Sequence, residues 1–250
     1  MSIKIKVNED DYILYEIMCD YCDEEYIIKY MLKDEKPSIE ACPFCSNPMK
    51  NLQKVKIMMR IAGVDYSLTS PAICVWKETN DNRQFNFDMC DVYYLENEQR
   101  LKRATKHEIL NLHADPYPEW ETEEQRHDLL SDWAMSIVSG CQVFIEGYAF
   151  ATSGKSHVRS VAENSGLLKH KMYKLKQSFT SIPPSVIKKY TTDKCNANKD
   201  LMYESFSKES HTPPDLHKIL KPKSNKLTNP TTDIVDSYWI CKYGWKELFA

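Results

Sequence analysis

The chain has 250 residues, 42% hydrophobic and 11% aromatic, which is enough apolar material for one sizeable core with a small appendage and excludes a chain dominated by disorder. No apolar run approaches the roughly 18 residues that cross a membrane, and the start, MSIKIKVNEDDY, lacks the apolar stretch of a secretory signal, so the expectation is a cytoplasmic protein without membrane contact. A net charge of −3 conceals a division, because residues 1–149 hold 16 Lys and Arg against 27 Asp and Glu, whereas residues 150–226 hold 15 against 6.

In chain order, residues 12–49 come first, with Cys19 and Cys22 answered by Cys42 and Cys45. Two CxxC knuckles separated by 19 residues have the spacing of a tetrahedral four-thiolate zinc site. Nine cysteines in a reducing cytosol read as metal ligands or buried thiols rather than as disulfides. Tyr26 to Met31, between the knuckles, supplies a strand of the kind a zinc ribbon uses. The domain expectation is therefore a zinc ribbon over residues 1–50, holding one structural Zn²⁺. So small a module has almost no core, and the ion supplies much of its folding energy. Asn51 to Lys56 is a polar bridge into a second domain over residues 57–250.

That second domain opens on IAGVDYSLTSPAICVW, residues 61–76, a strand that closes on Asp65, a turn, and a second apolar strand from Ala72 to Trp76. No Lys or Arg stands between Arg60 and Lys77 to offset a desolvated carboxylate at Asp65. Either Asp65 caps its own turn or it meets a bound cation. Phe85 to Leu95 reads as a third antiparallel strand, His107 to His113 as a short helix, and Glu121 to Ser139 as a longer one. Gly140 ends that helix. Cys141 to Ile145 is then a continuous apolar strand that delivers Glu146 at its tip, an arrangement that repeats the one around Asp65.

Lys155 to Lys176 reads as a basic helix, Phe179 to Ile182 as a strand, and Ser185 to Tyr190 as another helix. Throughout this basic segment aromatic residues are interleaved, which fits a polyanion-binding surface, although a lysine run is also what a solvated face looks like. Near the end, TTDIVDSYWICKYGW reads as a helix, with Thr231 or Thr232 as N-cap. Asp233 and Asp236 then share one face at the i, i+3 spacing. Acids in a first turn are often only dipole partners. Four acids, each at the edge of an apolar element and without compensating cations, instead suit two hard divalent ions.

These residues resemble the RuvC-type Holliday-junction resolvases of the RNase H-like nuclease superfamily over roughly Ile57 to Gly244. GVDYSLTSPAICV is similar to the family's first catalytic strand, VFIEGYAF to the element carrying its second acid, and DIVDSYWIC to its terminal Asp-x-x-Asp helix. PPSVIKKYTTDKCNANKDLM is similar to its basic segment. The resemblance implies an α/β fold with a mixed five-stranded sheet flanked by helices. It also implies DNA phosphodiester hydrolysis with two Mg²⁺, or Mn²⁺ in their place, held by Asp65, Glu146, Asp233 and Asp236. By the same match Lys188 or Lys189 and Lys199 are DNA ligands; Lys155 and Arg159 of the basic helix are further DNA-binding candidates, and Tyr148 and Phe150 either stack on bases or simply pack. Three departures stand out: Asp193 and Cys195 replace usual glycines, and Tyr66 replaces a common proline.

The partners implied are branched DNA and a second copy of the chain, because resolving a four-way junction needs two cuts related by a two-fold axis. Val158, Val161, Leu167, Leu168 and Met172 either furnish that interface or cover the sheet. Two alternatives stay open: a flap or RNA–DNA hybrid nuclease on the same scaffold, and a catalytically silent adaptor that recognises DNA through its ribbon. A DEDD-type exonuclease is disfavoured, since Ser67 stands where such enzymes carry a second acid.

Overall fold

The computed structural model describes residues 3–8, 12–18, 21–22, 25–31, 41–47, 59–78, 84–97, 109, 111–147, 155–213, 215–221 and 224–249, with backbone alone in the strands of residues 3–31 and in residues 155–158. The chain divides into two compact units, Met1–Met58 and Met59–Ala250.

In the first unit, β1 (Ile3–Asn8), β2 (Tyr12–Met18) and β3 (Glu25–Met31) form an antiparallel meander. The register sets Ile5 opposite Tyr15, and Glu16 opposite Ile27. Sequence analysis anticipates only the third of these strands. YILYEIM is nonetheless dense in the β-branched and aromatic residues that fit a pleated surface.

The second unit is built on a six-stranded sheet of order β7-β6-β5-β4-β8-β9. Its strands are β4 (Arg60–Asp65), β5 (Ala72–Lys77), β6 (Cys90–Glu96), β7 (Leu112–Pro116), β8 (Gln142–Glu146) and β9 (Phe179–Ile182). β4, β5 and β6 pair antiparallel in succession, and β4–β8, β8–β9 and β6–β7 pair parallel, so β5 alone runs against the rest. This is the mixed RNase H-like arrangement expected, with one strand more than the five anticipated.

The extra strand is β7, at the edge, and its first two residues, Leu112 and His113, fall within the helix expected over His107 to His113. Leu112 lies beside Val92 in parallel register. The Asn111 side chain donates to the carbonyls of Phe87 and Cys90, both at 2.8 Å, and so stitches the start of β7 to β6. Periodicity alone misses such a link, because a run of five residues fits either period. β6 is also shorter than anticipated. Phe87–Met89 form a 3-10 turn capped by the Asn86 side chain, which drives Phe87 into the core.

Six helices are described: α1 (Glu123–Val138), α2 (Lys155–Lys174), α3 (Pro184–Thr192), α4 (Lys199–Ser207), α5 (Leu216–Leu220) and α6 (Thr231–Phe249). They cover both faces of the sheet. Ala62, Val64, Ile73, Val75, Val143 and Ile145 pack with Leu130, Ala134 and Val138 of α1 and with Leu168 and Met172 of α2. On the other face Ile61, Cys74, Trp76 and Phe144 pack with Ile234, Val235, Tyr238, Trp239 and Cys241 of α6. The strands thus present alternate residues to alternate faces.

This packing decides one open alternative for two residues. Leu168 and Met172 are wholly buried within the subunit and cover the sheet, and the half-buried Val161 packs against the same cluster. The side chain of Val158 lies outside the described residues.

Candidate active site

Strand parity places the acids. Ile61, Gly63 and Asp65 share the face of β4 that α6 covers, and Phe144 and Glu146 share the corresponding face of β8. Gly63 lies beside Phe144 and Val64 beside Ile145 in the parallel register, and one further step along both strands reaches Asp65 and Glu146.

Helix α6 completes the set because it lies hard against the sheet. A Cβ at Gly63 would stand 2.1 Å from the Cys241 amide nitrogen and 2.4 Å from the Ser237 carbonyl oxygen, and one at Gly244 would stand 2.2 Å from the Phe144 ring. Only glycine permits this backbone-on-backbone approach. Through it Asp233 and Asp236, in the first turns of α6, reach the tip of β4. The helix starts at Thr231, and the amides of Asp233 and Ile234 reach back to the Pro230 carbonyl at 3.1 and 3.0 Å. Both threonines therefore lie inside the first turn rather than at the N-cap. Thr231 accepts or donates a 3.0 Å hydrogen bond with His217, and Thr232 donates to Asn229.

The cluster is buried and strongly anionic. Asp65, Asp233 and Asp236 are 7, 5 and 7% exposed, and Glu146 is half-buried. Burial pushes the Asp65 carboxyl well above the carboxylate range, and the charges of Asp233, Glu146 and Asp236 push it further. Burial raises Glu146 to about 7, with Asp236 adding to it. Burial likewise raises Asp233 to about 7, opposed by Lys199 and by a hydrogen bond with Ser70. Asp236 is raised by burial against the pull of Lys199 and Lys188.

Here the structure corrects the sequence reading, which found no compensating cation. Lys199 forms an ion pair with Asp236, and its charge acts on Asp65 and Asp233 as well. The counter-ion comes from the N-terminus of α4, far from Asp65 in sequence. Of the two adjacent lysines, the charge of Lys188 acts on Glu146 and Asp236, while Lys189 is exposed on another side of α3. Arg159 is exposed on α2. Lys155 is described by its backbone alone, and Tyr148 and Phe150 lie outside the described residues.

Asp193 has φ 59° and ψ 9° at the C-cap of α3. A left-handed residue is required there, and aspartate is among the few residues besides glycine that tolerate it. Cys195 is exposed. Tyr66 is buried on the opposite face from the acids, among Tyr117, Asp132 and Asp128, and its hydroxyl has no hydrogen-bond partner among the described residues.

The donor set fits a hard divalent cation. Lys199 pairs with one of the four carboxylates, and among the described residues the Asp233 Oδ2 atom is buried without a hydrogen-bond partner, so an acceptor is left for an ion. A different donor set occurs in the first unit. Cys22, Cys42 and Cys45 bring their Sγ atoms within 4.8 Å of one another, the only trio of possible ligand atoms so close among the described residues. Cys42 and Cys45 lie on one tight turn, closed by the Cys42 amide on the Asn47 carbonyl at 3.0 Å and the Ser46 amide on the Cys42 carbonyl at 2.9 Å. Three thiols at this spacing fit a soft or borderline ion such as Zn²⁺. Cys19 lies outside the described residues.

No family model matches the chain, and no curated protein matches it significantly. Among solved structures the chain is similar to the structure of Thermus thermophilus RuvC, at 12% identity and a TM-score of 0.43, covering 76% of this chain and 96% of that one. It is also similar to T. thermophilus RuvC in complex with Holliday junction substrate, at 12% identity and a TM-score of 0.47, over the same shares of both chains.

Proposed function

We propose that this protein is a metal-dependent, structure-selective DNA endonuclease that resolves four-way junctions by paired phosphodiester hydrolysis. The observation that carries the reading is the buried carboxylate cluster. Asp65 and Glu146 stand at the ends of adjacent parallel strands, and a helix that requires Gly63 brings Asp233 and Asp236 close enough for their charges to act on Asp65. A structural role for such a cluster is expensive, since each buried carboxylate costs solvation that a hydrophobic residue would not. The narrower choice of a junction as substrate draws on the motif resemblance set out under Sequence analysis.

Asp65, which feels all three other acids, is the central ligand, and Glu146, Asp233 and Asp236 complete the set. Mg²⁺ or Mn²⁺ bound there would supply the Lewis acid that activates water and stabilises the departing oxygen. Lys188 and Lys199 orient the phosphate against this anionic floor, and Lys189, Arg159 and Lys155 extend the positive surface along the backbone. Zn²⁺ on Cys19, Cys22, Cys42 and Cys45 holds the first unit together. Two copies related by a two-fold axis cut opposed strands of the junction.

The test is a cleavage panel with Mg²⁺ on a synthetic four-way junction, a flap, a linear duplex and an RNA–DNA hybrid, with sedimentation run in parallel. Paired symmetric cuts in the junction by a dimer are expected. Single nicks by a monomer leave a branch nuclease, preference for the hybrid leaves the hybrid nuclease, and binding without cleavage of any substrate leaves the adaptor.

A further inference from the structure

Lysine is an unfavourable choice for the first position of a helix, where the dipole already places positive charge. Lys199 occupies that position in α4, immediately after Asn198, whose side chain caps the helix by accepting from the Leu201 amide. Its place is also rigid. Trp239 Nε1 donates to the Met202 carbonyl at 3.3 Å, and Phe206 packs edge-on against Tyr238 at 5.1 Å, so α4 is locked along α6. Lys199 and Met202 are three residues apart on α4, as Asp236 and Trp239 are on α6. The contact that fixes Met202 on Trp239 therefore also sets Lys199 over Asp236.

The two partners differ in exposure. The Asp236 side chain is 10% exposed and that of Lys199 54% exposed, so the carboxylate is confined while the lysine stem has an open path to solvent. An ammonium and a divalent ion compete for the same Asp236 oxygens.

We infer that Lys199 is the resident counter-ion of the metal-free carboxylate cluster, that divalent ions displace it from Asp236, and that the released ammonium then faces the substrate phosphate. This rests on the reading of the cluster as a metal site under Proposed function, and adds to it that the positive charge needed for substrate becomes available only once the ions have bound. Before loading, Lys199 offsets part of the repulsion among the acids, consistent with the downward pull of its charge on all four carboxyls. After loading, the incoming charge exceeds the one displaced.

The test is metal binding without DNA or turnover. Zinc-replete protein is dialysed free of other divalent ions and titrated with Mn²⁺, the free ion being read by electron paramagnetic resonance. Lys199→Met, which keeps the length of the side chain, should bind Mn²⁺ roughly five- to tenfold more tightly than wild type, the fold-change expected on removing one partly buried competing ion pair. Lys199→Arg should stay near wild type. Amine labelling read by mass spectrometry should show Lys199 reacting faster when Ca²⁺ is present. Unchanged or weaker Mn²⁺ binding by a folded Lys199→Met protein overturns the exchange and leaves the metal site standing. Wild-type protein that binds no Mn²⁺, or binds it equally well after Asp65→Asn, overturns the metal site and the exchange with it.

Discussion

The thiol cluster at Cys22, Cys42 and Cys45 and the carboxylate cluster at Asp65, Glu146, Asp233 and Asp236 confront the same problem, several anionic ligands held together, and meet it differently. Cys42 and Cys45 sit on a short turn, Cys22 comes from a separate segment, and the three sulfurs lie within 4.8 Å of one another. A turn of that length has little else to fix it, so on the proposed reading an ion would hold that geometry. The carboxylates instead stand on the most deeply packed elements of the second unit, two parallel strands and a helix seated on Gly63. There the fold makes the geometry first, and Lys199 stands as counter-ion. A closed soft site suits structure, whereas an open hard site with a replaceable cation suits chemistry.

The largest expected effect separates the two sites by function. Asp65→Asn should lower Mg²⁺-dependent cleavage by roughly 10³-fold or more while junction binding persists and zinc content stays at wild type, because it removes a ligand without removing a phosphate contact. Cleavage that survives this substitution would remove the catalytic assignment and the comparison with it. Cys42→Ser should do the converse: zinc measured by elemental analysis is lost and the first unit unfolds. Mn²⁺ stoichiometry at the carboxylates, read by the same resonance titration, should not change. A parallel loss of Mn²⁺ sites would mean that the two centres depend on one another.

A third effect tests the claim that the fold builds the carboxylate site. Gly63→Ala forces a methyl group into the Ser237 and Cys241 backbone, which cannot move aside as a flexible side chain would. The cost should be about 3 kcal/mol, at the upper end of what overpacking a core exacts. Mn²⁺ affinity should fall with it as α6 lifts Asp233 and Asp236 away from Asp65. Denaturant melts and Mn²⁺ titration of the same variant check both halves. Loss of stability with intact affinity would mean that the acids find one another without the helix seated on the strand.

Much of this site was legible in the sequence, and the part that was not has a physical reason. A buried strand that ends in an acid announces itself through its neighbours, as GVD and VFIE do, since period-two packing fixes where the tip lies. The i, i+3 pair on α6 is legible for a similar reason, because helix geometry alone sets its face. The pairing of Lys199 with Asp236 was hidden because it depends on how α4 docks along α6, and a search for cations beside Asp65 in sequence cannot reach it. Strand β7 was hidden because its stitch is one Asn111 side chain bonded to two carbonyls of a turn. Leu168 and Met172 were ambiguous in principle, since an apolar helical stripe looks the same whether it faces a sheet or a second subunit.

The smallest effect sharpens the description of the carboxylate site as one that opens onto substrate. Lys188 and Lys189 are adjacent in sequence but point about 100° apart on α3. Lys188 acts on Glu146 and Asp236, whereas Lys189 is exposed to solvent. If substrate phosphate lies over the carboxylates, each lysine replaced by alanine should reduce the slope of log affinity against log salt by about one when it meets a phosphate. Lys188→Ala should show that loss and a fall in single-turnover cleavage, since its ammonium also helps offset the acids against which the phosphate must sit. Lys189→Ala should lose affinity and salt dependence while bound junction is cleaved at the wild-type rate. Equal cleavage by the two variants would place the scissile phosphate away from Glu146 and Asp236, and would leave the carboxylates as a metal site whose substrate approaches from another side.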